Sequence, residues 1–201
     1  MFIKRHQWIG SLLLAVSITA LTACNDDTTP PATDITKNSA LTSNSKRIIV
    51  SDQGVGPITP KTPFNIHTIT VAFPDYSVVE QLNFQEGESY PEISVSKGIK
   101  TLLTLHPTVD LKSIFSVVVE DNIIANALNH RLGTLFSDIY TTEAFQCQPG
   151  AEEMSGKVLC RPPNSTNMLY LFTGRWDGPD AQLPPTDTLH SWALESIIWK
   201  P

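Results

Sequence analysis

Ile93-Ser94-Val95-Ser96-Lys97-Gly98-Ile99-Lys100-Thr101-Leu102-Leu103-Thr104-Leu105, followed closely by Ile114-Phe115-Ser116-Val117-Val118-Val119, is the stretch that decides the fold class. Ile93–Val95 and Thr101–Leu105 are short apolar and β-branched runs on either side of Lys97-Gly98, the pattern of a β-hairpin. Residues 114–119 form a nearly continuous apolar run, as expected of a strand buried on both faces. Asp121-Asn122 then supplies turn chemistry.

Working outward, strand signals recur. Arg47–Ser51 is a short β-branched run stopped by Gly54-Val55-Gly56-Pro57, and Tyr76–Phe84 ends at the Glu86-Gly87-Glu88 turn. Further strands are expected at Val158–Cys160, Met168–Thr173 and Leu194–Trp199. Helices are few. Leu135–Phe145 is the best candidate, with Thr134 or Ser137 available to cap it. Thr62–Phe73 aligns without gaps with Thr134–Phe145 at an offset of 72, sharing Thr, Phe, Thr, Ala and Phe. Its Thr and Ile content argues for strand. An internal duplication, with a short helix and a β-meander in each half, would instead make 64–73 helical; chance yields similarity of this size too. The expected fold is therefore α+β: mainly antiparallel sheet with one or two short helices packed on one face.

The N-terminus bears on location. Lys4 and Arg5 precede an apolar run from Ile9 to Leu21, too short to span a bilayer and so a signal-type segment. It ends in Leu21-Thr22-Ala23-Cys24, which resembles the lipobox of bacterial lipoproteins and implies cleavage before Cys24 and its acylation. Two or more acyl chains give stable anchoring where one does not. Residues 1–23 are thus expected to be a signal peptide and 24–46 the lipidated cysteine with a tether. The tether is rich in Thr, Asn, Ser, Asp and Pro, too polar to fold, with a reach of about 26 Å. The rest, 47–201, fits one periplasmic domain. Asn25 after the cysteine, with Asp26 one place later, favours the outer membrane over the inner.

The chain carries 14 basic and 20 acidic residues, a net charge of −6. Losing Lys4 and Arg5 with the signal takes the mature form near −8. Phosphate backbones repel such a chain, so nucleic acid is an unsuitable partner. After Cys24, Cys147 and Cys160 remain. An even pair in an exported protein most often forms a disulfide; the rival metal or redox reading lacks a C-x-x-C.

Several stretches resemble the RpoE-regulated lipoproteins, a family of bacterial envelope proteins built on a domain of unknown function. They are Val50–Gly56 with Thr62-Pro63-Phe64, Gly133–Tyr140, Cys147 and Cys160, Phe172–Pro179, Leu183-Pro184, Asp187–Trp192 and Ile197–Trp199. Residues 75–131 match poorly. The resemblance implies an outer-envelope lipoprotein linked to envelope stress, and supplies no catalytic residues to carry over.

Few constellations suggest chemistry. Trp176, Trp192 and Trp199 crowd the C-terminal stretch with Tyr170 and Phe172. They are either the core that closes the domain or an aromatic surface for glycan or peptide. The acids of the Trp176–Asp187 loop lack calcium-loop spacing and read as turn formers. His67, His106, His130 and His190 show no metal-ligand spacing, and His106, before Pro107, is expected at the solvent. Ser137-Asp138 lacks a nucleophile elbow and reads as capping, and Gly54-x-Gly56 is a turn. No metal site or cofactor is expected. The leading reading is a non-enzymatic binding or structural module held at the membrane through Cys24. The alternatives are an enzyme on cell-wall glycan or lipid using acids such as Asp138, Asp177 and Asp187, or an inhibitor or chaperone-like partner of another envelope protein.

Overall fold

The computed structural model describes residues 47–85, 87–141, 146–179 and 181–201. Cys24, the expected signal peptide over 1–23 and the expected tether over 24–46 lie outside the described residues. The strands are β1 (Ile49–Ser51), β2 (Gly54–Val55), β3 (Ser77–Gln85), β4 (Glu88–Lys97), β5 (Lys100–Pro107), β6 (Ile114–Val119), β7 (Ala125–Asn126), β8 (Gln146–Pro149), β9 (Val158–Arg161), β10 (Met168–Thr173) and β11 (Ala193–Trp199). The helices are α1 (Ile66–Ala72), α2 (Phe136–Ile139) and α3 (Thr186–Leu189).

Strands β3 to β6 and β8 to β11 form one antiparallel sheet in the order β3-β4-β5-β6-β11-β10-β9-β8. This is two four-stranded meanders joined through their last strands. At the join Val117 lies opposite Trp199, Val118 opposite Ile198 and Val119 opposite Ile197. Positions 80 apart are structurally equivalent here, so Val118 and Ile198 are counterparts that face each other. A pseudo-two-fold axis passes between them, as in an isologous dimer interface closed within one chain. The bulges obey it: the register shift after His106 skips Phe115, and the shift after Leu171 skips Glu195.

The segments before α1 and α2 repeat bond for bond at the offset of 72. Thr62 Oγ1 accepts from the Thr59 N–H at 3.0 Å, and Thr134 Oγ1 from the Arg131 N–H at 3.2 Å. Pro63 bridges Ser113 as Leu135 bridges Ala193. The Phe64 N–H donates to the Lys112 carbonyl at 3.0 Å and the Phe136 N–H to the Trp192 carbonyl at 2.8 Å. Each half thus lays its helix start against the entry to its own last strand. The few shared residues matter here: the threonines close the turns and both phenylalanines are buried.

The core lies against one face of the sheet. Ile93, Leu105, Val117 and Trp199 make one rung, and Val95, Leu103, Val119, Ile197, Tyr170 and Cys160 the next. Ile69 and Phe73 of the α1 region, Phe136 and Ile139 of α2, and Leu189 of α3 join the same cluster. So do Val50 and Val55 from a small second sheet, ordered β2-β1-β7. Gly54 (φ +151°) is required in that sheet, because a Cβ there would lie 1.9 Å from the Ile58 carbonyl oxygen.

Helix α1 forms despite its Thr and Ile content. Asn65 caps it, Oδ1 accepting from the Thr68 N–H at 3.1 Å. Expectation and structure part at α2. It spans four residues and stops at Tyr140, which turns to φ −110° and ψ 89°, and its N-cap, Leu135, makes no side-chain bond. Thr134 is occupied by the turn instead. Residues 142–145 of the expected helix lie outside the described residues.

Cys147 and Cys160 are cross-strand partners on β8 and β9, joined by a disulfide with Cα atoms 4.0 Å apart. By register their counterparts are Glu80 and Ile93, which also face each other. The first half pairs its outer strands over nine residues, the second over only four. The bridge ties down the weaker hairpin.

Candidate functional site

Of the aromatic side chains that could have formed a binding surface, three are core. Tyr170, Trp192 and Trp199 are each 1% exposed or less, because they alternate onto the inner face of β10 and β11 or pack beneath it. The expectation of a surface built from Tyr170, Trp176, Trp192 and Trp199 is therefore corrected; only Trp176 is half-exposed. Trp176 and Trp192 share a slot with Pro149, Lys157, Pro179 and Pro184, whose free volume is about 30 Å³. That admits about one water and no sugar ring. Within it the Trp192 indole N–H is buried with no hydrogen-bond partner among the described residues.

Tyr170 instead anchors a polar network inside the core. Its hydroxyl accepts from Asn126 Nδ2 and meets His130 Nδ1 at 2.9 Å. Asn126 Oδ1 in turn accepts from the backbone N–H groups of Leu128 (3.0 Å) and His130 (2.9 Å). Burial pushes the Tyr170 hydroxyl far above its usual range, so it stays a neutral donor and acceptor. The network locks the loop after β7 onto the large sheet.

His106 is not at the solvent, as its place before Pro107 had implied, but half-buried on β5. Burial lowers its pKa, while Glu92, Glu120 and Glu153 pull the other way. Burial likewise lowers that of His130. Both are therefore harder to protonate folded than unfolded. Their contribution to stability is complete above the ordinary value of 6.5 and is lost as the pH falls below it. Asp52 acts in a lower window. Desolvation alone would raise its pKa, but the Ser165 hydroxyl, the N–H groups of Asn167 and Thr166, and Arg161 together bring it below the ordinary 3.8. Its contribution is present above 3.8 and lost as the pH falls further. Urea titrations should show stability declining in two steps on acidification. His106→Leu, which places the residue of its counterpart Leu171, should weaken the upper step alone. Equal stability at pH 7 and pH 5 would refute the assignment.

Asp138, Asp177 and Asp187 are exposed, and Asp177 pairs with Arg175 at 3.7 Å. None lines the slot described above or the groove described below. His67 and His190 are also exposed. Among the described residues no group of three His, Cys, Asp or Glu side chains could hold a metal.

The most distinctive concavity is one that the sequence reading missed. Two adjoining hollows, of about 310 and 530 Å³, share Lys97, Leu102, Ile123 and Arg131. Together they make a groove bounded by Arg47 before β1, Tyr76 before β3, the β4–β5 hairpin and the β6–β7 loop. Its floor is apolar, with Ile48, Leu102 and Ile124 all buried. Its rim is cationic: Arg47, Lys97, Lys100 and Arg131. These are four of the ten Lys and Arg residues in 47–201, against 17 acids there. Arg131 Nη1 is held by the Asn122 and Ile123 carbonyls, each at 3.3 Å, and Lys97 Nζ sits 5.9 Å from the centre of the Tyr76 ring. Lys100 pairs with Asp121 at 3.3 Å. Arg47, Lys97 and Arg131 have no ion-pair partner among the described residues. Asp121 offsets one of these four cations, and the excess positive charge beside apolar side chains suits an anionic amphiphile.

Comparison with known proteins places this architecture. An Escherichia coli (strain K12) relative, "Uncharacterized protein YfeY", is 31% identical over 152 residues, covering 75% of this chain and 78% of that protein. The crystal structure of the uncharacterized protein yfeY from Escherichia coli superposes with a TM-score of 0.64 at 29% identity, covering 76% of this chain and 99% of that one. Residues 34–201 match the family described as "Protein of unknown function (DUF1131)", and since that match takes in most of the chain, the protein belongs to this family.

Proposed function

We propose that the chain is an outer-envelope lipoprotein, anchored through Cys24 and acting as a binding or structural module rather than as a catalyst, in a role tied to envelope stress. The observation that carries this reading is the groove. It offers charge and apolar area in one concavity, which is recognition chemistry, and it opens where the chain enters the domain at Arg47. The order of Lys4, Arg5, the apolar run and Leu21-Thr22-Ala23-Cys24 supports the anchor. The similarity to RpoE-regulated lipoproteins supports the link to stress.

Membrane fractionation with in-cell crosslinking tests this. The unaltered chain should sediment with outer membranes and form specific adducts, and Cys24→Ala should abolish both. A wild-type chain recovered among soluble periplasmic proteins would refute the reading.

A further inference from the structure

The tip of the β4–β5 hairpin reads Lys97-Gly98-Ile99-Lys100, and Ile99 is fully exposed. Ile123, across the groove, is also more than half exposed. Single exposed apolar side chains are ordinary, and Val109 is as exposed as Ile99; what sets Ile99 and Ile123 apart is the cationic side chains beside them. Such pairs suit the boundary between headgroups and acyl chains, where a long cationic side chain meets phosphate while its neighbour enters the apolar layer.

We propose that the groove and this hairpin tip form a membrane-contact face that binds the phosphate headgroups of an anionic glycerophospholipid surface. The proposal rests on the reading of Cys24 as a lipid anchor, and names what the tethered domain touches. Three observations converge on this occupant. The described residues begin at Arg47, on the groove's own rim, so the expected tether joins the domain beside this face. Among the described residues, Arg47, Lys97 and Arg131 have no carboxylate partner. Finally, 17 acids stand against ten bases in residues 47–201, so an anionic bilayer repels the surface as a whole and attracts only the face where the cations gather. Attraction at one face and repulsion elsewhere orient the domain. Whole-chain net charge, which argues against anionic partners, averages over this patch.

The test uses the mature chain from residue 24 carrying Cys24→Ser, so that the tether is kept and no acyl chain assists. It is sedimented with phosphatidylcholine vesicles, with and without phosphatidylglycerol, and separately titrated with inorganic phosphate. Binding should require phosphatidylglycerol and weaken with added salt. It should fall about tenfold or more in Lys97→Glu/Arg131→Glu, and also fall in Ile99→Ser. Lys61→Glu/Lys200→Glu, away from the groove, should bind as the parent does. Thermal melts establish that the variants fold. Equal binding to both vesicle types, no binding, or insensitivity to the groove variants would overturn the proposal. So would phosphate binding that explains all of the charge dependence, which would mark a small-anion site. None of these outcomes touches the question of lipidation, because the protein used carries no lipid.

Discussion

Replacing Trp199 with alanine is expected to lower the unfolding free energy by about 3–5 kcal/mol, the usual loss for a fully buried Trp cut to a methyl. Trp199 is wholly buried and sits one rung from the pseudo-two-fold axis, opposite Val117 on one side and Met168 on the other. Its indole N–H also reaches the Asp52 carbonyl at 3.5 Å, linking the large sheet to the β1–β2 turn. The neighbouring strands are fixed by their ladders and cannot close over the cavity. A domain of this size is stable by only about 5–15 kcal/mol, so the variant should be close to unfolding at 37 °C. Trp176→Ala, at a half-exposed ring, should cost far less. Chemical denaturation of both variants would settle the matter, and equal losses would show that burial does not separate these two tryptophans.

Reducing the Cys147–Cys160 bridge should cost about 3 kcal/mol, as expected from loop-closure entropy for a loop of about 14 residues. The argument comes from the asymmetry between the halves. The β3–β4 pair holds itself with a nine-residue ladder, while β8 and β9 share four pairs at the opposite edge of the sheet. The double variant Cys147→Ser/Cys160→Ser should unfold at lower urea. Hydrogen exchange should speed up first in 146–161, with the β5–β6–β11 centre least affected. Unchanged urea midpoints, or loss of protection starting at the centre, would contradict this account of the bridge.

These effects show what could be read from residues alone. The long apolar strands stood out because burial on a central position leaves a run such as Ile114–Val119, and β6 and β10 begin and end where that pattern predicted. Strands β2 and β7 span two residues each and β8 four, lengths that carry no periodicity, so pairing alone defines them. The duplication was visible as five identities in twelve and open to doubt. The structural repeat shows instead in backbone bonds and bulge positions, which leave little trace in side chains. The expected α2 ran too far because Tyr140 gains more from packing its ring on Phe136, with its hydroxyl donating to the Arg161 carbonyl at 2.9 Å, than from another helical turn.

The site was less legible than the fold. Tryptophans close in sequence left core and surface both open, and strand alternation and the α3–β11 turn send Trp192 and Trp199 inward. The groove was hidden for the opposite reason: its cations sit at 47, 97, 100 and 131, on separate segments that only folding brings together. One local clue was present. Lys97-Gly98-Ile99-Lys100 puts an aliphatic side chain at a hairpin tip between two lysines, an arrangement that a water-facing turn does not need.

Anchoring at Cys24 underlies the proposed role, and the intact mass of the protein purified from bacterial membranes tests it most directly. The account predicts a polypeptide beginning at Cys24, without residues 1–23 and heavier by a diacylglyceryl group and an amide-linked acyl chain. A mass that retains the first 23 residues, or an unmodified Cys24, would contradict it.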